Sequence, residues 1–259
     1  MAKATHVKVS SVWKEVVNVW RNVGGVWKPE VMPYRKVSGV WKECMTYGSS
    51  KLYAADRVAD NMDEINPDNG VVIDEIYKYQ CIGCGGDGRG RLYNVDEDRM
   101  YELNPSTYAT ISNSGTHSPD YSVKDIGGLG SQVFIVDDDD NDIREENPDH
   151  ATPFYGYVQK ANSPDTSPDG VGGTNDELFY SGGGNVAEIN PSNLAVLRGP
   201  SASPVAGSTG GIGGIDNRLF HVDASNDKIH ELNPATFASI NNFDAAYNYP
   251  TGVGGTKTS

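Results

Sequence analysis

Five copies of one phrase run along this chain out of phase with its ends, and that offset restricts the fold more than any single residue does. The copies read KLYAADRVADNMDEINP, RLYNVDEDRMYELNP, QVFIVDDDDNDIREENP, ELFYSGGGNVAEINP and RLFHVDASNDKIHELNP. Their Asn-Pro pairs begin at Asn66, Asn104, Asn147, Asn190 and Asn233, at spacings of 38, 43, 43 and 43 residues. A period near 40 belongs to propeller blades, solenoid turns or stacked arrays.

Each copy resolves into strands. An apolar-aromatic pair opens the first (Leu52-Tyr53, Leu92-Tyr93, Val133-Phe134, Leu178-Phe179, Leu219-Phe220), and in four copies an Asp follows at the turn: Asp56, Asp96, Asp137 and Asp223. A carboxylate there can accept nearby backbone N–H groups. A second strand ends at Asn-Pro, where Asn forms an Asx turn and Pro presets φ, and a third is predicted over Tyr108 to Ile111 and Phe237 to Ile240. Glycine-rich segments precede four of the opening pairs: IGCGG at 82–86, IGG at 126–128, VGG at 171–173 and IGG at 212–214. The fifth, Val253-Gly254-Gly255, ends the repeat region with no pair after it.

With the glycine strand named a and the others b, c and d, the chain runs b-c-d, four times a-b-c-d, and finally a. That order predicts an all-β ring, a five-bladed propeller of four-stranded blades in which the C-terminal strand completes the blade begun at Lys51 and leaves no open side. Glycine suits inner strands that crowd a narrow axis. A phosphate loop is the sharper reading of the same glycines, but no segment ends in Lys-Ser/Thr or leads into a helical pattern. The LY-x-V-D…Y-E-L-N-P-x-T text resembles the blade repeats of many bacterial and viral β-propellers over about residues 47–259. The resemblance implies the fold and leaves the activity open.

Residues 1–46 differ from the rest. Trp13, Trp20, Trp27 and Trp41, all the tryptophans of the chain, lie here with Tyr34, one aromatic every seventh residue. The heptad fits a coiled coil poorly, because the segment is Val-rich and interrupted by Gly24-Gly25, Ser38-Gly39, Pro29 and Pro33. β-Hairpins with two-residue turns are expected instead. Hairpins this short bury little alone, so the four tryptophans are expected to dock a partner. The phrase V-x-V-G-G-V-W-K-E-V is similar to segments of tail-associated and fibre-like virion proteins of tailed bacteriophages. That resemblance implies attachment to a larger particle in multiple copies, with other virion proteins as partners and the virion as location.

Charge divides at the same boundary. Residues 1–46 hold eight Lys/Arg and three Asp/Glu, and the remainder 13 and 32, so a +5 arm precedes a −19 body. The basic residues alternate with Val and Trp and form no run, which favours an acidic protein neighbour, or a solvated face, over nucleic acid. The acidic body argues against DNA and anionic membranes. MAKATHVKVSSVW lacks a signal-peptide core, no stretch reaches membrane-span length, and three cysteines build no disulfide scaffold. Synthesis in a host cytoplasm without a signal peptide fits this. Cys81 and Cys84 form C-I-G-C without further zinc ligands or a following helix, so they read as inert thiols.

No catalytic constellation assembles. Five histidines are scattered, and the motifs of serine hydrolases, zincins and sialidase-like propellers are missing. A non-enzymatic protein without a cofactor is expected. Asp137, Asp138, Asp139 and Asp140 are candidate Ca²⁺ ligands, with a solvated turn as the plainer reading. Topology puts the b–c turns and d–a loops on one face and the Asn-Pro turns, with the arm's entry, on the other. The former face carries loops rich in Tyr, Ser, Asn and Pro, with Tyr121, Tyr155, Tyr157 and Tyr247 as candidate contacts to a host surface glycan. A free lectin-like module and a glycan-processing enzyme with carboxylates at the channel mouth are the alternatives.

Overall fold

The computed structural model describes residues 50–77, 81–96, 99–113, 122–148, 157–165, 167–174, 176–205, 209–245 and 249–256, together with the backbone of six strands before residue 44. Compact units divide the chain at Met1–Tyr47 and Gly48–Ser259. The first contains β1 (Thr5–Val9) with β2 (Val12–Val16), β3 (Val19–Val23) with β4 (Val26–Glu30), and β5 (Tyr34–Val37) with β6 (Val40–Glu43), each pair antiparallel. Trp13, Trp20, Trp27 and Trp41 fall on β2, β3, β4 and β6.

The second unit is five four-stranded antiparallel sheets. Blade 1 joins β7 (Lys51–Asp56), β8 (Asn61–Ile65) and β9 (Val72–Tyr77) to β26 (Pro250–Thr256), in the order β26-β7-β8-β9. Blade 2 is β10 (Gly83–Gly86), β11 (Leu92–Val95), β12 (Met100–Leu103) and β13 (Thr110–Asn113). Blade 3 is β14 (Val123–Leu129), β15 (Gln132–Asp137), β16 (Asp142–Glu146) and β17 (Tyr157–Asn162). Blade 4 is β18 (Pro168–Gly173), β19 (Leu178–Gly182), β20 (Asn185–Ile189) and β21 (Val196–Ala202). Blade 5 is β22 (Thr209–Ile215), β23 (Arg218–Asp223), β24 (Lys228–Leu232) and β25 (Ser239–Asp244). The C-terminal strand thus closes the ring, pairing from Pro250↔Asp56 to Thr256↔Lys51.

The apolar-aromatic pairs explain the packing between blades. Successive residues of a strand face opposite sides of its sheet, so the two members of each pair serve different junctions. Tyr53 and Met62 meet Cys84, Leu92 and Leu103 between blades 1 and 2, and Tyr93 and Met100 meet Ile126 and Val133 between blades 2 and 3. Phe134 and Ile143 meet Leu178 and Ile189 between blades 3 and 4. Phe179 meets Leu219 and Phe237 between blades 4 and 5, and Phe220 meets Leu52, Ile65 and Val253 where blade 5 returns to blade 1. Each fully buried Leu or Phe contributes roughly 1.5–3 kcal/mol.

The Asn-Pro turns follow the expected chemistry with one correction. Asn66, Asn104, Asn190 and Asn233 each accept, through Oδ1, the N–H two residues on, at 2.8–2.9 Å. Each backbone C=O also takes the N–H four residues on, from Gly70, Tyr108, Leu194 and Phe237, and those residues carry positive φ. Tyr108 and Phe237 therefore end turns; the outer strands start two residues later, at Thr110 and Ser239. Leu194 and Phe237 are buried, and that packing offsets the left-handed strain.

The same turns clamp neighbouring blades. A Glu of strand c holds a basic or amide side chain against the proline carbonyl of the next blade. Lys51 reaches Glu64 at 2.6 Å and the Pro105 carbonyl at 3.2 Å. Gln132 does so with Glu145 and Pro191, Arg198 with Glu188 and Pro234, and Arg218 with Glu231 and Pro67. Asn-Pro is punctuation and also an inter-blade acceptor.

Candidate functional site: the propeller axis and its mouths

The inner strands stack in register around the axis. Gly85, Gly127, Gly172, Gly213 and Gly254 form one row, and a side chain cannot fit there: a Cβ on Gly127 would lie 2.3 Å from the Val171 oxygen and 2.5 Å from the Gly172 Cα. Close backbone approach, inferred from composition, is here a geometric requirement.

Two residues nearer the b–c face the row reads Gly83, Asp125, Gly170, Gly211 and Gly252. Just before it, bulges interrupt β14, β18, β22 and β26 where each joins its blade. Bulges re-aim side chains, and beyond them the fivefold pattern ends. Ile82, Lys124, Asp169, Gly210 and Thr251 occupy the positions that follow, and all five line a cavity of about 240 Å³ at this mouth. Arg57 and Val58 of the blade 1 turn, Ala224 of the blade 5 turn and Tyr249 complete it. Val58 and Tyr249 are 72% and 55% exposed, which is high for an apolar and an aromatic side chain. Lys124 pairs with Asp138 at 3.1 Å. Two cations, a carboxylate, a hydroxyl, an aromatic ring and aliphatic surface thus converge on one small concavity. The opposite mouth, about 180 Å³, stays close to fivefold and is lined by Gly86, Gly128, Gly173, Gly214 and Gly255, with Asp87, Thr174, Asp216 and Thr256 among its rim.

The candidate calcium ligands lie in the blade 3 turn, against cations of the chain itself. Arg144, fully buried, holds Asp142 through Nε at 2.8 Å and sets Nη2 2.9 Å from Asp137 and 2.6 Å from Asp140. Lys160 adds contacts to Asp140 at 2.8 Å and Asp142 at 2.5 Å. Asp137 also accepts the Asp139 N–H at 3.0 Å, the turn role its spacing implied. Among the described residues no group of three or more His, Cys, Asp and Glu is placed to ligate a metal. Tyr121, Tyr155 and Tyr247 lie outside the described residues, and Tyr157 is described only as the first residue of β17. Sequence reasoning passed over Arg57, Lys124, Asp169 and Tyr249; each sits beside a bulge or turn, where alternation gives no signal.

Other chemistry-bearing groups sit within blades. Ser203 Oγ lies 3.1 Å from His221 Nδ1, but His221 is fully buried, and burial lowers its pKa to about 3, leaving it neutral. Cys81 and Cys84 are buried thiols, and burial pushes Cys84 well above the usual thiol range.

Two buried carboxyls make stability pH-dependent. Desolvation, reinforced by Glu75 and Asp56, raises Asp63 to about 7. Desolvation also raises Glu146 to about 7 against the pull of Arg144. Both pKa values exceed the unfolded ones, so the folded state binds more protons between about pH 4 and 7, and this contribution is lost as pH rises through 7. Glu146→Gln is therefore expected to be more stable than the parent at pH 8, by on the order of 2 kcal/mol, with the gap closing toward pH 5. Denaturant titrations of both proteins at the two pH values check this; a gap independent of pH contradicts it.

No protein-family model and no curated protein matches this chain. Solved structures do match in shape. The glutaminyl cyclase of Myxococcus xanthus is 11% identical over 64% of this chain and 71% of its own, with a TM-score of 0.51. A chain of the nidogen/laminin complex is 11% identical over 80% of this chain and 98% of its own, at 0.50. A streptogramin B lyase is 14% identical over 92% and 83%, at 0.47. At such identities the likeness is one of fold, and the fold is that of a β-propeller with five four-stranded blades.

Proposed function

We propose that this chain is a non-enzymatic component of a tailed-phage particle, docked through its N-terminal arm, whose propeller presents the b–c mouth to a host-surface glycan. The observation that carries the glycan half is the break in symmetry. At the b–c mouth the inner strands continue into Ile82, Lys124, Asp169, Gly210 and Thr251, five different residues, and Arg57 and Tyr249 line the same cavity. An exposed ring with hydroxyl, carboxylate and cationic groups suits a sugar face and its polar substituents. The particle half rests on the resemblance of the V-x-V-G-G-V-W-K-E-V phrase and on the +5 charge of the arm against a −19 body.

A glycan array of bacterial envelope saccharides, read beside a reducing-sugar assay, tests the reading. The full-length chain is expected to bind at least one glycan and to release no sugar. The Arg57→Ser/Lys124→Ser/Tyr249→Ser variant should lose at least about tenfold in affinity, equivalent to about 1.4 kcal/mol. Turnover of a bound glycan defeats the non-enzymatic reading, and unchanged binding by the variant moves the site elsewhere.

A further inference from the structure

The strand c side chain three residues before Asn-Pro stands near the turn Asp of its own blade, and in three blades it offers that Asp a donor or a cation. Tyr101 Oη donates to Asp96 Oδ2 at 2.9 Å in blade 2, Arg144 Nη2 lies 2.9 Å from Asp137 Oδ2 in blade 3, and His230 Nε2 lies 3.7 Å from Asp223 Oδ2 in blade 5. Blade 4 has neither member, with Gly182 and Ala187 in the two places. Blade 1 alone sets a carboxylate against a carboxylate. Asp63 pairs with Ala54, two residues before Asp56, so the register puts Asp56 and Asp63 on one face of the sheet. They are 4% and 3% exposed, and both line a small cavity with Ile65, Gly70, Ile229 of blade 5 and Pro250 of the closing strand. Asp56 Oδ1 accepts the N–H groups of Val58 and Ala59 at 2.8 Å, but Asp56 Oδ2 and Asp63 Oδ1 are buried and meet no donor among the described residues. Desolvation raises both carboxyls above the ordinary range, and Glu75 adds to it at Asp63 and Asp227 at Asp56. Two buried acceptors side by side are costly unless something positive joins them.

We propose that Asp56 and Asp63 together bind one divalent cation of magnesium or manganese size, which clamps blade 5 to blade 1 beside the closing strand. The ion does in blade 1 what Tyr101, Arg144 and His230 do in blades 2, 3 and 5: it gives the turn Asp a positive partner. Oxygen ligands select a hard cation. Calcium takes roughly six to eight oxygens, more than two aspartates supply with Asp56 Oδ1 committed to the turn, whereas magnesium binds through one or two carboxylates and water. Asp56 also pairs with Pro250, the first residue of β26, so the clamp lies where the ring meets itself.

The test is a manganese titration of the metal-stripped full-length chain, followed by the electron paramagnetic resonance of free Mn²⁺ and by thermal melts in manganous chloride and in sodium chloride of equal ionic strength. One equivalent is expected to bind, and with free Mn²⁺ at about a hundredfold its Kd the midpoint should rise by about 5–11 °C. Asp63→Asn supplies a donor, as the other blades do. It is expected to melt no lower than the metal-free parent, and to lose both the bound equivalent and the rise. Absence of binding and of the rise in the parent, which would leave a proton shared by the pair, overturns the proposal. Equal binding and an equal rise in Asp63→Asn also overturn it, because the ion then sits elsewhere. Should Asp63→Asn yield no folded protein, Asp63→Ala, which copies blade 4, is judged by the same two readouts.

Discussion

Deleting residues 249–259 should abolish cooperative folding of the propeller. The segment contributes β26, the inner strand of blade 1, and with it the whole ladder from Pro250↔Asp56 to Thr256↔Lys51. It also contributes Val253, buried against Leu52, Phe220 and Ile229 at the junction where the ring meets itself. Gly254 packs onto the backbone of Cys84 and Gly85, and the Val253 carbonyl lies against Gly213, so both neighbouring inner strands lose a wall as well. Several unpaired backbone groups at 1–3 kcal/mol each, added to the lost apolar burial, match the 5–15 kcal/mol that holds a domain together. A thermal melt by circular dichroism checks this. A midpoint within a few degrees of the parent's would show that the ring does not depend on its closing strand.

Arg144→Met should be the most damaging single substitution in blade 3. Arg144 lies buried among Asp137, Asp140 and Asp142, and Asp137 and Asp142 are themselves inaccessible to solvent. Methionine keeps much of the volume and removes the charge, leaving Asp137 without its cation. Removing one partner of a buried ion pair costs about 3–5 kcal/mol, or about 6–20 °C of midpoint in a domain this large. Adding Asp137→Asn should recover part of the loss. The same experiment separates the two readings of the aspartate run: with arginine in place, millimolar calcium should leave the melt unchanged, whereas a calcium-dependent rise of the parent would make Asp137 to Asp140 a metal site.

Fold and site were legible to different degrees, for physical reasons. The blade count and the closure came from phase alone, because a repeat that starts at strand b and ends at strand a can satisfy its edges only by closing. Turn chemistry was legible too, since Asn66, Asn104, Asn190 and Asn233 act on residues two positions away. The starts of strand d were misplaced because Tyr108 and Phe237 look like strand residues, yet they adopt positive φ and are held by tertiary packing. Arg144 was invisible as the partner of Asp137, since their contact depends on the register of β15 with β16. Asp125 left a signal that could have been read: DIGG at 125–128 stands where the other segments read GCGG, GVGG, GIGG and GVGG. The mouth residues left none, because bulges cancel the period that sequence patterns rely on.

The measurement that bears most directly on the proposed role is quantitative mass spectrometry of purified, salt-washed phage particles from the host that carries this gene. The chain is expected there in several copies per particle, and a version lacking residues 1–46 is expected to fold and remain in the unattached fraction. Particles free of the full-length chain, or particles that retain the armless propeller at the same copy number, would contradict an arm-docked virion component.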